Sequence, residues 1–309
     1  MADGRGRAKA IAALAAVSLL GALGSLRGDL WPGPFRAAEA VPGLERQALA
    51  WAEMAVCAGG LALTRRRGLS RAAAREAAVA GLGMYAVPAL LAALAGEWVG
   101  DLTRVAVFGM VPVLAVVLEP HLGGRETGRG ALGAALVAVT GMLLVFPVEL
   151  TGMTAGTTAG VLGLGAIVLA AVCAAAANCR AVWAAELGGG VAARAAVAAG
   201  SAAAALAAMS LTTEHWTAAR GLGAQAAWVA AVELPGLLLV FWLTSRMTAA
   251  RMTLRYVLAP LAASVAGIVL FLPAVSWQAA AGLVLTAGGA AWMLAIREVR
   301  EREQRGLGL

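Results

Sequence analysis

A chain of 309 residues that is 61% hydrophobic and 13% charged, with a mean hydropathy of +0.83, is too apolar to be a soluble domain. Its formal charge of +7 comes from 24 Lys and Arg against 17 Asp and Glu, and the cations cluster between apolar segments. That placement reads as membrane topology, so the pI of about 10.5 requires no nucleic-acid partner.

A helix needs ~20 apolar residues, at about 1.5 Å each, to cross ~30 Å of hydrocarbon. This ruler predicts ten spans, beginning with 9–26, which follows Arg5, Arg7 and Lys9. The first span has the look of a signal peptide with an "ALGS" cleavage site, but its removal would leave the first half of the chain one helix short of the second. Next come 45–64, interrupted by Glu53; 77–96, with Pro88; 102–119, with Pro112; and 130–148. The second half runs 159–180, opened by Gly156, Gly160 and Gly163 to Gly165; the Ala-rich 191–211; 223–245, with Glu233 and Pro235; 253–272, with Pro260; and 277–296. The tail at 299–309 mixes Arg and Glu at helical spacing and is expected to prolong the last helix into the cytoplasm.

Arginine placement tests the count. With a cytoplasmic N-terminus and ten spans, only Arg27, Arg36, Arg46, Arg104 and Arg220 fall outside, leaving 19 of the 24 basic residues inside. Dropping one interior span would reverse this bias for everything after it.

The two halves also share their punctuation. Pro88, Pro112 and Gly133 follow one another at gaps of 24 and 21; Pro235, Pro260 and Gly282 recur at gaps of 25 and 22. Residues 1–148 and 152–298 therefore read as two five-helix copies. An odd number of spans per copy sends the second copy in from the opposite face. The expected fold is thus all-α and integral to the membrane, with ten transmembrane helices in two inverted five-helix repeats.

Each copy closes on a related stretch: "VPVLAVVLEPHLGGRETGRGALGAALVAVTG", from Pro112 to Gly141, and "APLAASVAGIVLFLPAVSWQAAAGLVLTAGG", from Pro260 to Gly289. With the ten spans and the length, this pattern resembles the drug/metabolite transporter superfamily in its EamA-type branch. Such transporters commonly carry an acidic residue just before the last helix of each copy. Glu126 stands there in the first copy, whereas the second has Pro273, and the family's Trp-Gly signature in the first helix is replaced by "SLLGALGSLRG". The resemblance implies export of a small organic molecule.

Intramembrane charges carry the sharpest functional signal, because an ionised carboxylate at the bilayer centre costs ~2.5–3.5 kcal/mol on insertion scales. Glu53 lies 12 residues before Arg65, and Glu233 lies 13 before Arg246. Both helices run inward, so the two carboxylates are expected at matching depth, ~18–20 Å above the cytoplasmic arginines. Trp51 and Trp228 accompany them along the chain, and Asn178 and Gln225 are further candidates for lining a path. Pro88, Pro112, Pro235 and Pro260 are candidate hinges. Glu97, Asp101 and Arg104 read as a solvated cluster at the outer mouth, and Glu119 with His121 as a similar one at the inner end.

Motifs of enzyme chemistry are missing: no P-loop, no H-E-x-x-H and no G-x-S-x-G. Cys57, Cys173 and Cys179 lack ligand spacing, so neither a metal nor another cofactor is expected. The reading is a non-enzymatic secondary transporter in a bacterial cytoplasmic membrane, with both termini cytoplasmic. Its partners would be a small-molecule substrate, the lipid bilayer and, as a coupling ion, the proton. The alternatives are a membrane-embedded transferase and a permease subunit served by a separate ATPase.

Overall fold

The computed structural model describes residues 2–25, 43–65, 68–122, 130–146, 158–213, 222–273 and 275–296. Helices joined by short turns make up these segments, and no strand occurs among the described residues. The helices are α1 (Ala2–Ser25), α2 (Leu44–Thr64), α3 (Arg71–Ala95), α4 (Asp101–Leu118), α5 (Ala131–Val145), α6 (Thr158–Glu186), α7 (Val191–Thr213), α8 (222–243), α9 (Ala249–Phe271) and α10 (Trp277–Ala295). All but α2 and α5 are long and apolar enough to cross a membrane, which marks a multi-pass membrane protein. α2 has 21 residues, but Glu45, Arg46 and Glu53 dilute its apolar run; α5 is apolar with 15. Glu126, His215, Trp216, Arg220 and the tail at 299–309 lie outside the described residues, as do Arg27, Trp31 and Arg36.

Helix starts differ from expectation where polar caps extend them. α3 begins at Arg71 rather than 77, because the Ser70 hydroxyl accepts the Ala73 N–H and the helix can start in water. Across the molecule the usual size order of inside and outside is reversed. The interior is mainly alanine, whereas Leu63, Leu211, Leu272, Val56 and Val284 are strongly exposed. A surface this apolar suits lipid contact, and small interior residues let helix backbones approach.

Two antiparallel helix pairs show this most clearly. α2 packs along α7, with Leu44 and Ala48 against Ala202 and Leu206, and Met54 and Ala58 against Ala195, Ala198 and Ala199. α5 packs along α10 more closely still. A side chain at Gly141 would meet the Gly282 carbonyl at 2.6 Å, and one at Gly289 would meet the Ala134 carbonyl at 2.8 Å. At the centre of this crossing the Thr286 hydroxyl donates to the Gly282 carbonyl at 2.7 Å and faces the Ala138 carbonyl at 3.5 Å, 148 residues away. The pair Gly141/Gly282 becomes Gly289/Ala134 when one residue moves forward and the other back by that same 148. A similar exchange relates the remaining helices: α1 packs on α8 and α9, and α6 packs on α3 and α4.

Proline shapes the long helices. α3 widens into a π turn at Leu82–Ala86 and α8 into another at Val229–Glu233, each directly before a Val87-Pro88 or Leu234-Pro235 step. Proline has no N–H and its ring crowds the carbonyl four residues back. One wide turn relieves this: Val87 N–H reaches the Leu82 carbonyl, and Leu234 N–H reaches that of Val229. α4 instead breaks at Gly109 and Met110 and restarts with Pro112 in its first turn, while Pro260 sits inside a continuous stretch of α9.

The α5–α10 contact should govern stability. Gly282→Leu forces a side chain into space held by Gly141, Leu144 and Val145, an overpacking that costs on the order of 1–3 kcal/mol. Gly165→Leu, where nothing lies within 4 Å, serves as the control. The expected outcome is a clearly lowered thermal midpoint in detergent for Gly282→Leu and an unchanged one for Gly165→Leu.

Candidate functional site

A partly open cavity of about 530 Å³ lies between α1, α2, α3, α4, α8 and α9. Its size suits a drug-sized ligand. The lining begins with Gly24, Arg104 and Trp228, at the end where α1 finishes and α4 and α8 begin, and it reaches Arg255 near the far end of α9. Most of the wall is apolar or aromatic. Trp51 packs on Tyr85 with ring centroids 4.2 Å apart, and Phe108 stacks on Tyr256 at 6.1 Å.

Both π turns reach this space. Tyr85 lines it from the turn in α3, and Val232 and Glu233 line it from the turn in α8. A π turn rotates the residues that follow and aims side chains that regular helix would turn aside, which is why such turns recur at functional sites.

Of the residues singled out in the sequence, Glu233, Trp51, Trp228 and Pro260 line the cavity together. Glu53 is not among the lining residues; its Oε2 is buried in α2 with no hydrogen-bond partner among the described residues. Asn178 lies behind the wall, fully buried, where its amide donates to the Ala174 carbonyl at 2.6 Å and accepts from Arg255 at 3.0 Å. Pro88 and Pro112 are buried within the bundle, and Pro235 is half-buried just after the second π turn. Gln225 donates to the Arg46 carbonyl at 3.3 Å, joining α8 to α2.

Three sequence expectations need correction. Arg104 is no solvated loop residue: it lines the cavity, with its guanidinium donating to Asp101 at 3.2 Å and to the Gly96 carbonyl at the end of α3. Arg255, counted among cytoplasmic loop charges, is buried inside α9 and faces the cavity. Glu119 is fully buried, and its carboxylate accepts the backbone N–H groups of Ala249 at 2.7 Å and Ala250 at 3.4 Å. The first turn of α9 exposes its N–H groups at that point, so a carboxylate is a favourable partner.

Glu119 belongs to a set of polar ties at one end of the bundle, where α3, α7 and α9 begin and α4, α6 and α8 finish. Buried Arg194 of α7 donates to the Thr244 hydroxyl at 3.0 Å and the Ser245 hydroxyl at 2.8 Å, just past α8. Glu76 of α3 pairs with Arg180 of α6 at 3.4 Å and with Arg75 at 3.0 Å. These contacts tie the helices together at the end of the molecule opposite Gly24, Arg104 and Trp228. No group of His, Cys, Asp and Glu able to hold a metal ion occurs among the described residues.

No family model and no curated protein matches the chain. Solved structures do: 28 chains match, and one described only as "Crystal structure of protein" has a TM-score of 0.70 at 18% identity, over 98% of this chain and 99% of that one. At that identity the likeness is one of fold, and it extends over the whole length.

Removing the Glu119 tie should loosen this end of the bundle. Glu119→Ala leaves two buried N–H groups without their partner, at about 1–3 kcal/mol each. The expected result is faster thermal inactivation in detergent, with Glu119→Gln, which keeps an acceptor oxygen, falling between the variant and the parent.

Proposed function

We propose that this protein is a secondary transporter that moves a small organic molecule across a bacterial cytoplasmic membrane by alternating access. The observation that carries the reading is the cavity of about 530 Å³ shared by helices of both halves, with polar ties at one end of the bundle and Glu233 in the cavity wall.

The proposal includes ten spans in two inverted repeats. The exchanged contacts support this arrangement. Equivalent helices that pack antiparallel, with their contact pairs interchanging at an offset of 148, suit a two-fold axis perpendicular to the helices, and hence in the membrane plane. π turns that precede equivalent prolines in α3 and α8 support it as well. In such a molecule each half can take up the conformation of the other, which converts a cavity open on one face into one open on the opposite face. With both termini cytoplasmic, the end of the cavity at Gly24, Arg104 and Trp228 lies toward the outside and the polar ties lie toward the cytoplasm. The resemblance to EamA-type transporters favours export as the net direction.

Glu233 is assigned the coupling role. It stands in a π turn on the cavity wall, where a proton or a positively charged substrate group can occupy the same carboxylate. Competition for one site ties the two movements together.

Topology is tested by single cysteines in a background lacking Cys57, Cys173 and Cys179. Gly100→Cys should react with a membrane-impermeant reagent in intact cells, and Gly68→Cys should not. The reverse pattern would overturn the orientation.

Transport is tested in proteoliposomes over a panel of organic acids, amines and amino acids, with and without an imposed pH gradient. Glu233→Gln keeps size and removes the charge switch, so pH-driven flux should fall at least tenfold while insertion and folding persist. Glu53→Gln, off the cavity wall, should reduce flux less. Undiminished pH-driven flux in Glu233→Gln would end the coupling assignment.

A further inference from the structure

The cavity holds a second charged group that the coupling role of Glu233 does not use. Arg255 is more than nine-tenths buried, yet it lines the cavity. Its Nη2 donates to Asn178 Oδ1 at 3.0 Å and to the Tyr256 hydroxyl at 3.2 Å, both neutral acceptors. Its Nη1 has no hydrogen-bond partner, and the guanidinium forms no ion pair with a carboxylate, among the described residues. Burial of a cation without a counter-charge is strongly unfavourable, and buried charges are as a rule paired.

The group is also held rather than loose. Asn178 is oriented by its own bond to the Ala174 carbonyl at 2.6 Å, so its oxygen is directed at Arg255. On the other side the guanidinium carbon lies 4.8 Å from the centre of the Tyr256 ring. This fixes the planar fork and leaves Nη1, itself enclosed, without a partner among the described residues. A fixed guanidinium edge recognises a planar anion, a carboxylate above all, through charge-assisted hydrogen bonds. Around it the wall is aromatic: Trp51 on Tyr85, Phe108 on Tyr256, and Trp228. Arg104, which also lines the cavity, is already paired with Asp101 at 3.2 Å, so Arg255 is the lining cation without a carboxylate partner among the described residues.

We propose that the cavity takes an amphipathic organic anion, its carboxylate drawn to the buried guanidinium of Arg255 and its apolar body between the two aromatic pairs. The proposal rests on the transport reading for the meaning of the cavity, but it concerns binding alone. Arg255 acts as the specificity determinant.

The test uses the purified full-length protein in detergent and four probes of one shape: 3-phenylpropionate, its amide, phenethylamine and phenylalanine. Calorimetry should show the acid binding at least tenfold more tightly than the other three. In Arg255→Gln that preference should vanish while amide binding stays within about twofold; Arg255→Lys should recover part of it. Should the arginine variants fail to fold, the parent protein decides the matter, because binding the amine, the amide or the amino acid as tightly as the acid overturns the proposal. So does an acid preference that survives Arg255→Gln. Counterflow of labelled 3-phenylpropionate in proteoliposomes separates the two readings. Acid binding without flux removes the transport reading and keeps the anion site, whereas amine flux without acid binding does the opposite.

Discussion

Lipid tails solvate an apolar helix about as well as another helix does, so helices associate in a bilayer only where their backbones pack densely. This demand fixes the composition of the interior. Gly141 against Gly282 and Gly289 against Ala134 allow α5 and α10 to touch backbone to backbone, and alanines do the same between α2 and α7. Gly81 and Gly83 bring α3 onto Ala198 of α7 and Ala177 of α6. Any larger residue at these positions would push the helix backbones apart.

Such packing by itself would close the bundle completely. The cavity exists because its six helices carry large side chains toward one another at the middle and because two of them are wound irregularly there. Pro88 and Pro235 each remove a helical N–H and crowd the carbonyl four residues back, and the wide turns directly before them carry Tyr85, Val232 and Glu233 onto the cavity wall. A backbone constraint coded by one residue is thus converted into the position of a carboxylate. The same turns occur at corresponding places in the two halves, so the opening draws on both.

What could be read from the sequence was whatever local signals encode. Hydropathy located the long apolar helices, because a span is defined by its own run of residues; Pro88 and Pro235 marked two irregular turns; and an acid in an apolar run drew attention to Glu233. Orientation around the helix axis was not legible. Arg251 and Arg255 lie one turn apart near the start of α9 and look alike as interfacial cations, yet Arg251 reaches the Ile296 carbonyl while Arg255 turns inward to Asn178. Glu119, beside Pro120 and His121, likewise has the surroundings of a loop and the burial of a core residue. A signal did exist in the partner. Asn178 sits in the alanine-rich "CAAAANC", where a buried amide must find a hydrogen bond, and Arg255 supplies it.

The two kinds of contact divide the labour that alternating access would require. Glycine and alanine contacts between α5 and α10 depend on dense fit over many atoms, so they are lost by any separation and act as fixed joints. The ties of Glu119 to Ala249 and of Arg194 to Thr244 and Ser245 are a few directional hydrogen bonds at the tied end. Water can take over each of those bonds when the end opens, so the net cost of breaking one is far below its strength in a dry interior. A cycle that keeps the small-residue joints and exchanges the polar ties would open the tied end without unpacking the bundle. Arg255 stands between the two regions, one turn into α9 from the Glu119 tie and on the wall of the cavity. A ligand that engages its guanidinium would therefore act on the helix whose first turn holds the Glu119 tie.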